Sequence, residues 1–392
     1  MRLPDRGKGM RGIYLVDTTL RDGEQAPSVV FTAEQRAGIL GALCAAGVNE
    51  VECGTPAMGQ QEQATLRGLL RQHGGGATRL TAWCRGRHAD LDAAARCGFG
   101  AVHVSFALSP VLLRACEKEF VQACTNMCDV LIEATSMFSF VSAGLQDVSR
   151  MPADMLDWAV AIIAESGVHR LRLADSVGVW TPLDVQEVMQ RIRGRTPGLQ
   201  LGVHMHNDLG MATANTVVAL QMGADAADVT VLGLGERAGN AALEQVVMAL
   251  ERIPDLSHGV QIQALHALCQ QVSTAAKYAI PPDQPICGDR VFRHESGIHA
   301  AAQLRDRTCF EPFNPVAVGR PGNLDISIGK HSGARAICHV FDCHGVPLTL
   351  EEAARLLPRV RSEAIATGSG VPFARLQQLL DEYMHEGREV AA

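Results

Sequence analysis

The sequence lacks features that mark several large classes of protein. Aromatic residues make up only 4 % of its 392 residues, and the net charge of −7 leaves no basic excess. A nucleic-acid-binding protein needs a basic surface, so a nucleic-acid partner is not expected. No uninterrupted apolar run reaches the length of a membrane span, and the Gly/Arg-rich segment 1–11 has no apolar signal region. We therefore expect a cytoplasmic protein with no membrane partner.

The twelve cysteines form no CxxC pair and show no regular spacing. This distribution argues against a disulfide framework, and it is typical of small buried side chains in a reducing compartment. Apolar residues make up 47 % of the chain and charged residues 20 %. That balance is typical of a soluble globular enzyme.

Short apolar or β-branched runs alternate with helical patterns between Ile13 and Ile253, which indicates repeated βα units. The eight predicted strands are 13–17, 48–53, 79–84, 101–106, 136–142, 169–174, 200–204 and 227–232. Eight such units predict a (β/α)₈ TIM barrel over residues 12–255. A doubly wound open sheet is the alternative, but it has fewer strands and a glycine-rich phosphate turn after the first, which is absent here.

The pattern changes beyond residue 255. Residues 260–279 form one apolar-periodic helix, and the segment 281–285 then breaks the chain with three prolines. Polar loops and two helical stretches near 350–365 and 373–386 follow. Residues 256–392 are therefore predicted to form a mainly α-helical C-terminal region or lid.

Three polar motifs follow predicted strands 1, 7 and 8, which become neighbours when a barrel closes. They are Asp17–Gln25, His204–Asp208 and Gly235–Asn240. A TIM barrel carries its chemistry at the carboxyl ends of its strands. His204 and His206 are two residues apart on a strand, so both imidazoles face the same side. With Asp22 they predict a divalent metal site that keeps open positions for substrate.

Other residues of the motifs suit supporting roles. Arg21 would place a guanidinium where an oxyanion forms, although a salt bridge to Asp17 or Glu236 that ties strand ends together would also explain it. Glu236 and Asn240 could support the metal shell. His294 and His299 lie outside the barrel, where either could act as a general acid or base, and their spacing alone does not separate them.

The motifs DTTLRDGEQ, HMHND, GLGERAGN and HESGIH, in this order over nearly the whole chain, resemble the DRE-TIM metallolyases of the Claisen-condensing group. That group includes the isopropylmalate, homocitrate and citramalate synthases. The segments 82–85 and 212–215 and the short C-terminal region are most similar to homocitrate synthases associated with nitrogenase. We therefore expect no C-terminal regulatory domain of the kind through which leucine inhibits isopropylmalate synthases.

The resemblance implies an acyltransferase that converts the acetyl group of acetyl-CoA into an alkyl group by condensation with a 2-oxo acid. Asp22, His204 and His206 would bind Mg, Mn, Zn, Co or Fe, with Asn240 close by, and Arg21 would stabilise the alkoxide. Glu236 would orient Arg21 or the acetyl group. The resemblance further implies that Ser176 contacts a substrate carboxylate. His299 would assist enolisation from the C-terminal region, across a homodimer in which that region reaches the partner's barrel.

Two departures from the family pattern concern the acceptor. Gln146 replaces a glutamate after strand 5, and Arg114 lies where nitrogenase-type synthases carry a His-His-Lys run. A more cationic pocket favours a compact, doubly charged distal group. This favours phosphonopyruvate, as in 2-phosphonomethylmalate synthases, with 2-oxoglutarate as the alternative acceptor.

Two further functions stay open at this point. An acyl-CoA lyase of the same superfamily would cleave the corresponding bond, but the long C-terminal region with HESGIH resembles the synthases. A catalytically silent barrel acting as a binding protein would not need Asp22, His204 and His206 intact.

Overall fold

The structure, a computed structural model, describes residues 10–196 and 198–389. Its two compact units divide between Ile280 and Pro281, and each is described by itself. Most of the segment 1–11 lies outside the described residues. The larger unit contains the predicted barrel, and the smaller contains the C-terminal helices.

Eight parallel strands close into a barrel, in which β1 pairs with β8 through Tyr14 and Ala226. The strands are β1 Tyr14–Asp17, β2 Glu50–Gly54, β3 Arg79–Arg85, β4 Ala101–Ala107, β5 Phe140–Gln146, β6 Arg170–Asp175, β7 Gln200–Met205 and β8 Ala226–Val229. All eight predicted strands are present, and the (β/α)₈ fold class is confirmed. Every motif that follows a strand therefore lies at one end of the barrel.

The helices of the barrel unit cover the strands. They are α1 Ala33–Ala45, α2 Gln60–His73, α3 His88–Cys97, α4 Pro110–Ala115, α5 Phe120–Met137, α6 Ala153–Glu165, α7 Pro182–Arg193, α8 Ala212–Gln221, α9 Leu243–Leu250 and α10 Leu265–Ala276. Thr32 and Thr181 form capping boxes at the starts of α1 and α7, and Pro182 occupies the first turn of α7. These caps fix the points where the chain leaves a loop and enters a helix.

Two differences from the predicted elements have local causes. The predicted helix over 110–130 is two helices, because Glu117 adopts a left-handed φ of 52° that ends α4. The fifth strand begins at Phe140 rather than at residue 136, because α5 continues to Met137. In addition, α10 packs against α1, so residues 256–280 group with the barrel unit in the structure.

The C-terminal unit is mainly helical, as predicted. Its helices are α11 Gly297–Gln303, α12 Ala334–Cys343, α13 Leu350–Thr367 and α14 Phe373–Glu389. Phe341, Leu356 and Leu376 are fully buried and join α12, α13 and α14 in one core. Among the described residues, no helix is both long and apolar enough to cross a membrane.

Several ionisable side chains are buried in the barrel unit, and Glu244 on α9 is one of them. Its Oε2 accepts a hydrogen bond of 3.1 Å from the Leu232 amide. Leu232 has a left-handed φ of 62°, which is strained for a residue with a branched side chain. Glu244 therefore holds the strained turn that follows β8. Burial raises the pKa of Glu244 from 4.5 to about 7.

Replacing Glu244 with glutamine is expected to change how stability depends on pH. Between pH 4.5 and about 7 the folded protein binds more protons at Glu244 than the unfolded chain does, so this group lowers stability as pH rises. The two pKa values of Glu244, unfolded and folded, differ by about 2.5 units. At pH 8 this difference lowers the free energy of unfolding of the wild type by roughly 3 kcal/mol. The unfolding free energy of Glu244→Gln, relative to wild type, should therefore rise by roughly that amount between pH 4.5 and pH 8.

Chemical denaturation at a series of pH values measures this difference. Glu187→Gln, at an exposed position of α7, is the matched control. A stability difference between Glu244→Gln and wild type that does not vary with pH would contradict the prediction.

Candidate active site

A pocket of about 250 Å³ opens at the carboxyl end of the barrel. It lies at the level where the three predicted motifs leave their strands. The side chains that line it are Arg21, Asp22, Gln25, Trp83, His103, Ser105, Leu145, Gln146, Arg172, Ala174, Ser176, His204, His206, Glu236 and Arg237, together with Gly144. Seven of the eight strands contribute to this lining or are continued by residues that do.

The structure brings Asp22, His204 and His206 together in this pocket. Their possible ligand atoms lie within 4.8 Å of one another. The Nε2 atoms of His204 and His206 are 3.2 Å apart, and the Nε2 of His204 is 3.2 Å from Oδ2 of Asp22. All three residues are buried. A carboxylate and two imidazoles that converge in this way form a common donor set for a divalent metal.

Asp228 of β8 fixes the orientation of His204. The Nδ1 of His204 lies 3.0 Å from Oδ2 of Asp228, which accepts its proton and leaves Nε2 facing the pocket. Burial disfavours the charged imidazole of His204, but hydrogen bonds to Asp22 and Asp228 outweigh burial and raise its pKa. Burial and the neighbouring His204 lower the pKa of His206 to about 4. His206 is therefore neutral, as a metal ligand must be.

Buried polar atoms without partners also fit a bound cation. Oδ1 of Asp22, Nδ1 of His206 and Oδ1 of Asn240 have no hydrogen-bond partner among the described residues. Burial opposes ionisation of Asp22, but Arg21 and His204 hold its pKa well below the usual range. An ionised carboxylate and free lone pairs are a costly arrangement unless a positive group satisfies them. The residues present therefore fit a divalent metal.

Arg21 is fixed at the rim of this donor set by two carboxylates. Its Nε donates to Glu52 of β2 at 2.8 Å, and its Nη1 donates to Asp22 at 2.8 Å. The guanidinium also lies 5.5 Å from the ring centre of Trp83. Of the partners considered from the sequence, neither Asp17 nor Glu236 pairs with Arg21. Asp17 instead accepts hydrogen bonds from the Thr19 amide and hydroxyl.

The segment after β8 brings Glu236 to the pocket and holds Asn240 beside His206, with which it forms a backbone bridge. The Thr19 hydroxyl accepts a 2.9 Å bond from the Val231 amide, so the segments after β1 and β8 are tied together. Nδ2 of Asn240 donates to the Leu234 carbonyl at 2.9 Å. The amide oxygen of Asn240, Oδ1, therefore faces away from Leu234. Glu236 lines the pocket and is exposed.

The opposite wall of the pocket is polar and uncharged. Gln146 donates to the Ser105 hydroxyl at 2.9 Å, and Nδ1 of His103 lies 2.9 Å from the Ser142 hydroxyl. Burial and the neighbouring arginines hold the pKa of His103 well below its ordinary value. Its Nε2 has no hydrogen-bond partner among the described residues. His103 is therefore a neutral group that can bond to a ligand.

Of the predicted site residues within the barrel unit, Arg114 and Asn240 do not line this pocket. Arg114 is exposed on α4 and does not line it. His299 belongs to α11 of the C-terminal unit, where its ring stacks on Phe310 with centroids 3.9 Å apart. Ser176 does line the pocket, and its hydroxyl accepts a 2.9 Å bond from the Asp147 amide.

The sequence prediction missed His103, Glu52, Arg172 and Asp228. Arg172 pairs with Glu52 at 2.6 Å and also with Asp228. The available signal was the presence of charged residues two apart in apolar strands, as in Glu50 and Glu52 or Arg170 and Arg172. Such residues face the same side of a strand, here the barrel interior.

Comparison with known proteins agrees with this geometry. The HMGL-like family model matches residues 12–272, and a homocitrate synthase post-HMGL domain model matches residues 286–367. The chain belongs to the HMGL-like family. It is also similar in fold to the HMG-CoA lyase of Bacillus subtilis, with a TM-score of 0.63 and 22 % identity over 70 % of this chain and 96 % of the other.

Similar sequences place the chain more narrowly. It is 39 % identical to a homocitrate synthase from Frankia alni, over 85 % of this chain and 94 % of the relative. It is 37 % identical to a 2-phosphonomethylmalate synthase from Streptomyces rubellomurinus, over 94 % of this chain and 98 % of the relative. The predicted resemblance to the homocitrate synthase-like, Claisen-condensing group is confirmed, and so is the predicted class of acyltransferase.

Removing the charge of Asp228 is expected to weaken metal binding without unfolding the barrel. Asp228→Asn loses the carboxylate that orients His204, and changes of this kind typically lower metal affinity about 10–100-fold. Competition with a chelator on metal-stripped protein measures the affinity. Asp225→Asn is the matched control, since Asp225 lies just before β8 and pairs with Arg193 at 3.0 Å, away from the pocket. Equal affinities in the two variants would show that Asp228 does not support the metal site.

Proposed function

We propose that this protein condenses acetyl-CoA with a 2-oxo acid in a metal-dependent Claisen reaction. The observation that carries the proposal is the convergence of Asp22, His204 and His206 beside the fixed guanidinium of Arg21. A divalent cation bound by these three residues, with Asn240 close by, would polarise the keto group of the acceptor. The synthase relatives support the same reaction type.

The protein's own residues supply the remaining steps. A base removes a proton from the acetyl methyl group, the resulting carbon nucleophile attacks the keto carbon, and a new carbon–carbon bond forms. Arg21 donates hydrogen bonds to the oxygen that gains negative charge, in a geometry already set by Glu52. Glu236 lines the pocket without pairing with Arg21, so we assign it to orienting the acetyl group. Water then cleaves the thioester and releases coenzyme A.

We assign the proton transfer to His299 rather than His294. Within the C-terminal unit His299 is exposed, whereas His294 is half-buried and its Nε2 lies 3.2 Å from Nε2 of Gln303. Burial and the neighbouring His299 lower the pKa of His294. A group that exchanges protons with substrate must be accessible, which favours His299. We keep the homodimer, in which this region serves the partner's barrel, as part of the proposal.

The acceptor we propose is phosphonopyruvate, with 2-oxoglutarate as the alternative. A pocket of about 250 Å³ favours a compact acceptor. Its distal wall offers hydrogen-bonding groups from Gln146, His103 and Ser176 without a repelling carboxylate. Arg114 is not part of this wall, so any contribution of its charge acts from outside the pocket. The homocitrate synthase relatives support 2-oxoglutarate equally well.

Thiol release from acetyl-CoA in the presence of a divalent metal tests the reaction and the acceptor together. Oxaloacetate, 2-oxoglutarate, 2-oxoisovalerate, pyruvate and phosphonopyruvate are compared by kcat/KM. We expect the highest value for phosphonopyruvate. A higher value for 2-oxoglutarate would favour homocitrate synthesis, and no acetyl-CoA turnover with any of the five acids would refute the condensation itself.

Replacing Arg21 with lysine is expected to separate catalysis from metal binding. A single ammonium cannot reproduce the guanidinium fork, so kcat should fall about 10²–10³-fold while the metal stays bound. Steady-state kinetics and metal analysis of the same preparation test this. Arg85→Lys is the control, because Arg85 ends β3, pairs with Asp90 at 2.9 Å and lies outside the pocket. Near-normal turnover of Arg21→Lys would rule out the oxyanion role.

A further inference from the structure

Ser176 is held from two sides by residues with an unusual backbone conformation. Its hydroxyl oxygen accepts a 2.9 Å hydrogen bond from the Asp147 amide, and its carbonyl oxygen accepts a 2.7 Å bond from the guanidinium of Arg237. Asp147 and Arg237 have left-handed φ values of 58° and 55°. A residue with a side chain adopts this conformation at a cost, and such strain persists where the surroundings enforce it. The two contacts at Ser176 therefore depend on the groups that hold Asp147 and Arg237 in place.

Asp147 is held by its own carboxylate. This carboxylate is fully buried, and it accepts two bonds from the guanidinium of Arg150, at 2.7 and 2.9 Å, and a third from the Ser109 hydroxyl. Arg150 ends the short turn Val148–Arg150 after β5 and does not line the metal pocket, and neither does Asp147. Glycine would adopt the same φ with less strain but could not form these bonds. The ion pair therefore fixes the direction of the Asp147 amide.

Arg237 is held in a similar way by Asp208. Its Nε and Nη2 atoms donate to the two carboxylate oxygens of Asp208 at 2.8 and 3.2 Å. The same Nη2 atom donates to the Ser176 carbonyl, so one guanidinium joins the segments after β6, β7 and β8. Two of these segments also meet at Gly178, where an added Cβ would lie 2.5 Å from Oδ2 of Asp208. Arg237 lines the metal pocket, but its charge is already paired with Asp208.

These contacts leave the hydroxyl proton of Ser176 free. Its Oγ atom receives the Asp147 amide proton, and the hydroxyl donates to no group among the described residues. A hydroxyl oxygen that already accepts on one side directs its own proton to another side. Ser176 lines the metal pocket, so a ligand there can offer the acceptor that the protein does not. A negatively charged oxygen of a substrate would be the strongest such acceptor.

We propose that Asp147 and Arg237 are positioning residues that direct the Ser176 hydroxyl at a charged oxygen of the 2-oxo acid. The pairs Asp147–Arg150 and Asp208–Arg237 form what we call the Ser176 clasp. The inference rests on the proposed condensation, because it names the groups that set how tightly the acceptor of that reaction binds. In the described part of the chain, the clasp side chains form no hydrogen bond with the three metal donors, so the clasp acts on the acceptor and not on the metal.

The variant Arg150→Gln tests the clasp from outside the pocket. It removes the guanidinium that holds Asp147, so the KM for the 2-oxo acid should rise about tenfold, as expected when a hydrogen bond to a charged group is lost. The KM for acetyl-CoA, kcat and the metal affinity should change less than twofold. Arg191→Gln is the matched control, because Arg191 of α7 forms a similar two-bond pair with Asp157 of α6, and it should leave all four constants unchanged.

A second background separates positioning from a general structural effect. Ser176→Ala removes the hydroxyl and should itself raise the KM for the 2-oxo acid about tenfold. Because the clasp acts through Ser176, adding Arg150→Gln or Asp208→Asn to Ser176→Ala should raise this KM less than twofold further. An unchanged KM in Arg150→Gln alone, or a tenfold rise in both backgrounds, would overturn the proposal. The same outcomes for Asp208→Asn would overturn the role of Arg237.

Direct binding keeps this inference separable from the proposed function. Calorimetric titration of the protein loaded with Mn²⁺, first with phosphonopyruvate and separately with 2-oxoglutarate, requires no turnover. An acid that binds the wild type about tenfold more tightly than Arg150→Gln supports the clasp even if no acetyl-CoA is condensed. Equal affinity of the two proteins for both acids, or no binding of either acid to the wild type, overturns the proposal.

Discussion

A closed ring of six ionisable side chains underlies the candidate site. Arg21 binds Glu52, Glu52 binds Arg172, Arg172 binds Asp228, Asp228 accepts from His204, and His204 and Arg21 both contact Asp22. The members come from five strands or the turns that follow them, so the ring exists only when the barrel has closed. Each member is buried, and removing one would leave another charge without its partner. Hydrogen bonds to Asp22 and Asp228 raise the pKa of His204, which favours a proton between these carboxylates. A divalent metal held by His204 would supply positive charge at the same place.

The order of elements follows closely from the sequence because a parallel barrel has a strong repeating pattern. Strands such as Ala101–Ala107 are buried on both faces and appear as short apolar runs, and capping residues such as Thr181 mark where the helices begin. Helix boundaries that depend on the backbone conformation of a single residue were harder to predict from the sequence. Glu117 gives no sequence signal for its left-handed φ, so the split between α4 and α5 could not be predicted.

The convergence of Asp22, His204 and His206 was also predictable, since the two histidines are local in sequence and the end of the barrel at which they lie follows from the fold. The residues that hold these side chains in place could not be predicted. Glu52 meets Arg21 only because β1 and β2 are neighbours, and Asp228 meets His204 only through the register of β7 and β8. The position of Arg114 on α4 could not be predicted either, because it depends on which face of the helix packs against the barrel. Leu113 takes the buried position of α4, so the next residue, about 100° further round, points to solvent.

The distribution of charge divides the pocket into two arcs. Asp22, His204, His206 and Arg21 lie on the arc formed by β1, β7 and β8, and the ion-pair ring holds all of them except His206. His103, Ser105 and Gln146 occupy β4 and β5 on the opposite arc, where the side chains are neutral and bonded mostly to one another. Substitutions on the neutral arc would break no ion pair of the ring. We therefore expect that a few changes on this arc would alter the hydrogen bonding offered to a ligand and leave the convergence of Asp22, His204 and His206 unchanged.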